Sequence, residues 1–304
     1  MVMVTNIPEP FKRRYGQLVD DKKAFYKSLG ERIPLAFRVN TIKAERKDVV
    51  NRFGEYGIEI KQAAFYPDAF TTDDLRVGKT IEHFAGHIYM QEIVSMLPPL
   101  VMELPKGGTI LDAAAAPGSK TTQISALLNN QGTVIANDIS YARIKALVFN
   151  MEKLGVMNAI VLNKDVRYIN GSYDSILLDA PCSAEGTIHK NWKVLPLWSE
   201  ERIRILSNIQ KQMIIKCFDL LKSGGSLVYA TCTFAPEENE EVIQYLLDKR
   251  EARLEKIRIN GLGTSPALEK WGDKKFGPEI QKAVRIWPHH NNTGGFFIAK
   301  IWKD

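Results

Sequence analysis

The sequence predicts an α/β protein, a doubly wound and mostly parallel sheet with one antiparallel strand, preceded by a small α+β unit. Three observations carry this. From about residue 107 to 250, runs of β-formers alternate with amphipathic helical stretches, the pattern of a parallel sheet with helices on both faces. The chain ends in two β-forming runs, AVRIWPH and GGFFIAKIWK, joined by a short polar turn, so one strand near the edge must run antiparallel. The first 80 residues lack the alternation and carry 15 Lys or Arg against 11 Asp or Glu.

Each element follows from its pattern. Residues 10–29 place Phe11, Tyr15, Leu18, Val19, Phe25, Tyr26 and Leu29 at helical spacing, which predicts a helix there. PLAFRVNTI then reads as a strand, RKDVVNRFGEYG as a helix and IEIKQAAFY as a strand. These make a small basic domain over 1–80, followed by a larger domain over 81–304. In the larger part GTILDAAAA, GTVIANDIS, NAIVLNKD, YDSILLDAP and GGSLVYATC are successive core strands. SKTTQISALLNN and YARIKALVFNMEKLG are helices after the first two strands. A long amphipathic helix near 199–221 carries Ile203, Leu206, Ile209, Met213, Ile214 and Phe218, and PEENEEVIQYLLDKR forms the helix after the fifth strand. The fourth and fifth strands are expected beside the first.

Composition narrows the function classes. At 304 residues, 45% hydrophobic and 25% charged, the chain reads as an ordinary globular protein. No run of 18 apolar residues occurs, so no membrane span is expected. The first residues, MVMVTNIPEPFKRRYG, set basic side chains after a short apolar start, the reverse of a signal peptide, and point to a cytoplasmic protein. Three cysteines without a C-x-x-C pair suit neither a disulfide framework nor a zinc site, so no metal is expected. A monomer is the default. The net charge of +6 is compatible with a polyanionic partner.

A ligand of such a sheet lies outside the carboxyl ends of its strands, at the switch point beside the first. There the sequence reads D112-A-A-A-A-P-G-S-K-T121. A dinucleotide fingerprint needs three glycines and a P-loop needs a leading one; this turn has Gly118 alone, and Ser119 separates it from Lys120. The small residues leave room for a nucleoside with an amino-acid tail. Asp138 at the end of the second core strand can accept ribose hydroxyls, and Asp165 after the third can reach an adenine amino group. Each Asp could instead merely cap the helix that follows. With three strand ends marked in register, S-adenosylmethionine is the expected cofactor.

Two cysteines sit where strands run out, Cys182 in LLDAPCSAEGT and Cys232 in YATCTFAPEENEEVI, whereas Cys217 lies on the apolar side of the long helix and is expected in the core. Carbon 5 of cytosine accepts a methyl group only after a nucleophile adds at C6, and a thiolate is suited to add and later leave. The C5 proton must then go to a base, and the charge that addition creates must be stabilised at the ring edge.

DAAAAPGSKT, LLDAPCSAEGT and YATCTFAPEENEEVI together resemble the signature motifs of the Nop/Sun family of RNA cytosine-5 methyltransferases. The likeness runs over 81–304, including QEIVSMLPP and R285-x-x-P-H…T-GGFFIAK, and PLAFRVNTIK is similar to the family's RNA-recognition-like leader. It implies a Rossmann-like S-adenosylmethionine methyltransferase sheet with an RNA-recognition-like N-terminal domain. It further implies that Cys232 attacks C6, that Cys182 assists proton removal and release, and that Asp179 and Lys120 hold the flipped base. Ala114, Ala115, Ala116, Pro117, Gly118, Ser119 and Lys120 would line the methionine portion, with Asp138, Arg143, Asp165 and Asp179 completing the cofactor site. The archaeal-type enzymes acting on tRNA are the nearest match. rRNA is the alternative substrate; DNA methylation, with Cys182 attacking, and a non-catalytic RNA assembly factor are more distant readings.

A stacked cytosine must be flipped out to react. The segment H189-K-N-W-K193 and His289 or His290 are candidate helpers, with Trp192 expected to pack rather than stack. Lys12, Arg13, Arg14, Lys22 and Lys23 could track phosphates, or simply form a solvated face.

Overall fold

The computed structural model describes residues 7–304; residues 1–6, the short apolar start compared above with a signal peptide, lie outside the described residues. Two sheets organise the chain. The first is antiparallel and four-stranded, with β1 (Leu35–Val39), β2 (Lys61–Ala63), β3 (Tyr66–Thr72) and β4 (Ile88–Met90) in the order β2-β3-β1-β4. The strand β3 was not expected, because YPDAF interrupts the β-formers with Pro67 and Asp68. The proline is tolerated because the β2–β3 ladder shifts register between Gln62 and Ala63, a bulge that makes no use of its missing N–H. The span 10–29 forms two helices, Glu9–Tyr15 and Lys22–Ser28, instead of one. Asp21 caps the second by accepting from the Ala24 amide, and Tyr26 folds back to donate to the Lys12 carbonyl at 2.6 Å.

The large sheet contains the parallel strands β5 (Thr109–Asp112), β6 (Thr133–Asn137), β7 (Ala159–Leu162), β8 (Tyr173–Asp179) and β9 (Leu221–Thr231). It is extended by β10 (Ala252–Glu255) and β11 (Thr264–Pro266), and the chain then makes a two-rung ladder of β12 (Lys270–Trp271) and β13 (Lys274–Lys275). It closes with β14 (Val284–Ile286) and β15 (Phe296–Lys303), giving the order β11-β14-β15-β9-β8-β5-β6-β7. The strand β15 inserts antiparallel between β9 and β14, as the terminal hairpin predicts, and β10 pairs with its far half. One expectation is corrected: β8 adjoins β5, but β9 lies one strand further out.

Alternate residues of the central strands feed the two faces of this sheet. Leu111, Ile176, Leu178, Leu227 and Tyr229 pack under the helices Glu200–Asp219 and Glu240–Lys249, with Cys217 fully buried among them as expected. Ile110, Val134, Leu177, Val228 and Ile298 face the Ser119–Leu127 helix and the N-terminal sheet. Each such aliphatic side chain contributes about 1.5–3 kcal/mol by leaving water. Arg38 on β1, wholly buried, donates to Gln91 and Thr122 and so fastens the small sheet to that helix.

One buried ion pair ties the closing hairpin to the Glu240–Lys249 helix. Arg285 on β14 grips Glu240 with two hydrogen bonds, 2.6 and 2.5 Å, and gives a third to the Phe234 carbonyl, all at 2% exposure or less. Removing one partner strands a charge in the core. Arg285→Met is expected to lower the unfolding free energy by about 3–5 kcal/mol in urea titration, whereas an exposed pair such as Arg253–Asp304 should cost about 1 kcal/mol or less.

Candidate active site

The carboxyl ends of β5, β6, β8 and β9 surround a cavity of about 460 Å³. Adjacent parallel strands running out together explain its contents. Asp179 is level with Ala230 in the β8–β9 register, so Cys182 and Cys232 emerge side by side. Their sulfurs are 3.4 Å apart, unbonded and half-buried, and both line the cavity. The two cysteine segments are stitched by Gly186, whose amide donates to the Cys232 carbonyl at 2.8 Å. A Cβ there would lie 2.1 Å from the Gly295 carbonyl oxygen, so only glycine permits the approach.

Lys120 reaches the same place from the first turn of the Ser119–Leu127 helix. Its ammonium donates to Asp179 at 2.6 Å and to Ser95 at 3.0 Å, and it sits 5.7 Å from the centre of the Phe296 ring. Burial disfavours the ammonium, but Asp179, Asp112 and Cys232 outweigh it and raise its pKa. Cys182 is pushed well above the usual thiol range, first by its hydrogen bond with Cys232 and then by burial. Beneath them Asp112 accepts from Thr121, leaves its other oxygen unpartnered, and is pushed up to about 7 by burial.

The remaining expected cofactor residues divide. Ala114, Asp138, Arg143, Asp165 and Asp179 line the cavity. Ala115 and Ala116 are instead buried against Leu147, and Pro117, Gly118, Ser119 and Lys120 shape the turn without lining the cavity. Gly118 has φ +102° and would drive a Cβ to 2.9 Å from Leu147, which is why the turn needs it. Asp138 accepts from the Ala116 and Ser140 amides and pairs with Arg143 at 3.0 Å. Asp165 combines the expected cap with a place on the cavity wall. It caps the short helix through the Arg167 amide, and it stays on the cavity wall while chelated by the Arg167 guanidinium, which holds it below the usual carboxylate range. The cavity also has Ile139, Arg167, Ile209 and Met213 on its wall, unforeseen because they come from separate loops and from the long helix. Size, apolar walls and the carboxylates after β6 and β7 fit a nucleoside carrying an amino acid, which is the shape of S-adenosylmethionine.

The expected helpers fare differently. His289 and His290 turn away from the cavity to meet Asp20, with contacts of 2.9 and 3.2 Å, and His289 is 3% exposed, packed on Phe25. Arg14 is likewise drawn inward, to Glu237 at 2.5 Å and Glu200 at 3.7 Å, which takes it out of the proposed phosphate track. Trp192 packs among Phe11, Tyr15 and Phe234, as expected. His189 does not line that cavity; with Arg32, Gln91, Glu92 and Lys190 it lines a separate one of about 320 Å³. Burial pulls its pKa down to about 4.

Comparison with known proteins gives the family. Residues 99–302 match the family model for 16S rRNA methyltransferase RsmB/F, and residues 7–93 match that for the N-terminal domain of 16S rRNA methyltransferase RsmF. A tRNA (cytosine(49)-C(5))-methyltransferase of Pyrococcus abyssi is 40% identical over 95% of this chain and 94% of its own length. The ribosomal RNA small subunit methyltransferase F of Shewanella loihica is 36% identical over 88% of this chain, which spans only 56% of that relative. The crystal structure of a methyltransferase homolog from Pyrococcus horikoshii superposes with a TM-score of 0.88 at 34% identity, over 98% of this chain and 95% of that one. The chain therefore belongs to the RsmB/F (Nop/Sun) family of RNA cytosine-5 methyltransferases, whose methyl donor is S-adenosylmethionine.

Proposed function

We propose that this protein methylates C5 of a cytosine in tRNA, with S-adenosylmethionine supplying an electrophilic methyl group from the large cavity. The observation that carries the reading is the pair of thiols 3.4 Å apart, beside Lys120 and Asp179, on the wall of that cavity. Cys232 is the nucleophile, with the Lys120 ammonium close to it, while its hydrogen bond with Cys232 and burial push the Cys182 thiol up. Attack at C6 makes C5 electron-rich, and the Lys120–Asp179 pair binds the ring edge where charge builds. After transfer Cys182 takes part in removing the C5 proton, and Cys232 leaves as thiolate. Asp138, Asp165 and Ala114 hold the nucleoside and methionine parts of the donor.

Choice of tRNA rests on the Pyrococcus abyssi relative, which this chain matches almost end to end. The rRNA reading keeps support from the family model and from relatives acting on ribosomal RNA. The N-terminal domain and the rim around Arg32 and Lys190 supply the RNA grip, and the protein works in the cytoplasm as a monomer without a metal. No helix among the described residues is long and apolar enough to cross a membrane. Incubation with radiolabelled methyl donor and total RNA, followed by bisulfite sequencing, is expected to mark tRNA cytosines. Label confined to rRNA would shift the substrate, and label at adenine or on ribose would overturn the chemistry.

A further inference from the structure

Behind the two cysteines lies a buried cluster that the chemistry above does not use. Ser183 Oγ touches three oxygens: Glu185 Oε2 at 2.7 Å, Thr233 Oγ1 at 2.9 Å, and Glu238 Oε1. All four residues are at most 6% exposed. Three oxygen–oxygen contacts need three protons, and the Ser and Thr hydroxyls supply two. A serine hydroxyl donates once and accepts twice, so Ser183 gives its proton to one carboxylate and accepts from Thr233 and from a carboxylic acid. One of the two glutamates therefore keeps its proton.

Burial beside a second carboxyl favours Glu238. Glu238 Oε2 is already satisfied by the Ser183 amide at 3.0 Å and Gln210 Nε2 at 2.7 Å, leaving Oε1 to face the hydroxyl. Burial, then the neighbouring Glu185, pushes Glu238 up to about 8. Glu185 Oε1 accepts from Tyr15 at 2.7 Å, a partner suited to a carboxylate. Glu238 lies six residues after Cys232, and its carboxyl grips the residue after Cys182. Gln210 completes the strap by donating to the Pro181 carbonyl at 2.8 Å. The titratable groups facing this carboxyl are Glu185 and Cys182 from one loop, Tyr229 from β9, and Tyr15 with Arg14 behind it; the long helix offers the uncharged Gln210.

We propose that Glu238 is a positioning residue acting as a neutral carboxylic acid: it ties the Cys182 loop to the Cys232 loop and keeps a further negative charge away from the thiols. The inference rests on the roles assigned to the cysteines under the proposed function. A charge at Glu238 would oppose thiolate formation at Cys182, the step that proton removal from C5 requires.

Glu238→Gln is the decisive variant, because its amide can donate to Ser183 as the acid does. It is expected to restore most of the turnover that Glu238→Ala loses, the latter falling about tenfold or more in kcat with KM little changed. Wild-type turnover should decline above about pH 8 as Glu238 ionises, and the Gln variant should hold its plateau about one pH unit further. Glu185→Gln, which forces the charge onto Glu238, should behave like the Ala variant. A readout independent of RNA is iodoacetamide labelling of Cys182 from about pH 7 to about pH 12, followed by peptide mass spectrometry. Its half-maximal pH should drop by about half a unit or more in Glu238→Gln, since a like charge has been removed nearby. Coincident labelling curves, or a Gln variant as inactive as Ala, would overturn the inference. If wild type methylates no RNA but the labelling curves separate, the proposed function fails and the charge assignment stands.

Discussion

Replacement of Cys232 by alanine is expected to abolish methyl transfer, by on the order of 10⁴-fold or more, because addition of its thiol at C6 is the step that makes C5 reactive. The matching change, Cys182→Ala, should give a different failure. The nucleophile still adds and the methyl group still arrives, but without the second thiol the C5 proton stays and Cys232 cannot leave. Enzyme and RNA should therefore accumulate as a covalent complex, visible as a shifted band in denaturing gels and lost in the double variant. A complex formed by Cys232→Ala and not by Cys182→Ala would exchange the roles. The 3.4 Å separation makes the experiment sharp, since one base can lie within reach of both sulfurs and neither variant should disturb the fold beyond a small cavity.

The second large effect is expected at Lys120. Its ammonium is the cation that joins Asp179 to the site, and at 6% exposure no solvent cation can replace it. Lys120→Met keeps the aliphatic stem and removes the charge. Turnover should fall about 10²- to 10³-fold, the scale of deleting one preorganised donor at a site of developing charge. Asp179 would then be left without the cation it pairs with at 2.6 Å, and the ring edge would lose both halves of that pair's support. Unchanged turnover would remove Lys120 from the reaction.

Much of this was legible in the sequence because the signals are local. Strand followed by helix, a small-residue turn after the first strand, and cysteines at two strand ends each occupy a dozen residues or fewer. Parallel strands bring their carboxyl ends to one rim, so Cys182, Cys232, Asp179 and Lys120 had to converge once the strands were identified. What escaped depends on distant partners. Arg14 reads as a free cation until Glu237, 223 residues away, claims it, and His289 reads as a base-side helper until Asp20 does. The strand β3 was hidden because Pro67 contradicts local propensity and only the bulge opposite makes it acceptable. The split of 10–29 into two helices escaped for a related reason: apolar spacing continues across the break, while the turn is set by the Asp21 cap and the fold-back of Tyr26.

The inward-facing side of the first helix has a consequence for how the molecule is assembled. Tyr15 donates to Glu185, Trp198 donates to Tyr15, and Arg14 holds Glu237, so the leader buttresses the two loops that carry the thiols. The first helix is thus part of the machine's chassis. Exchanging it as a cassette to redirect the enzyme toward another transcript would dismantle the wall behind the chemistry, and retargeting should begin at the outer edge of the small sheet, where no such brace is at stake.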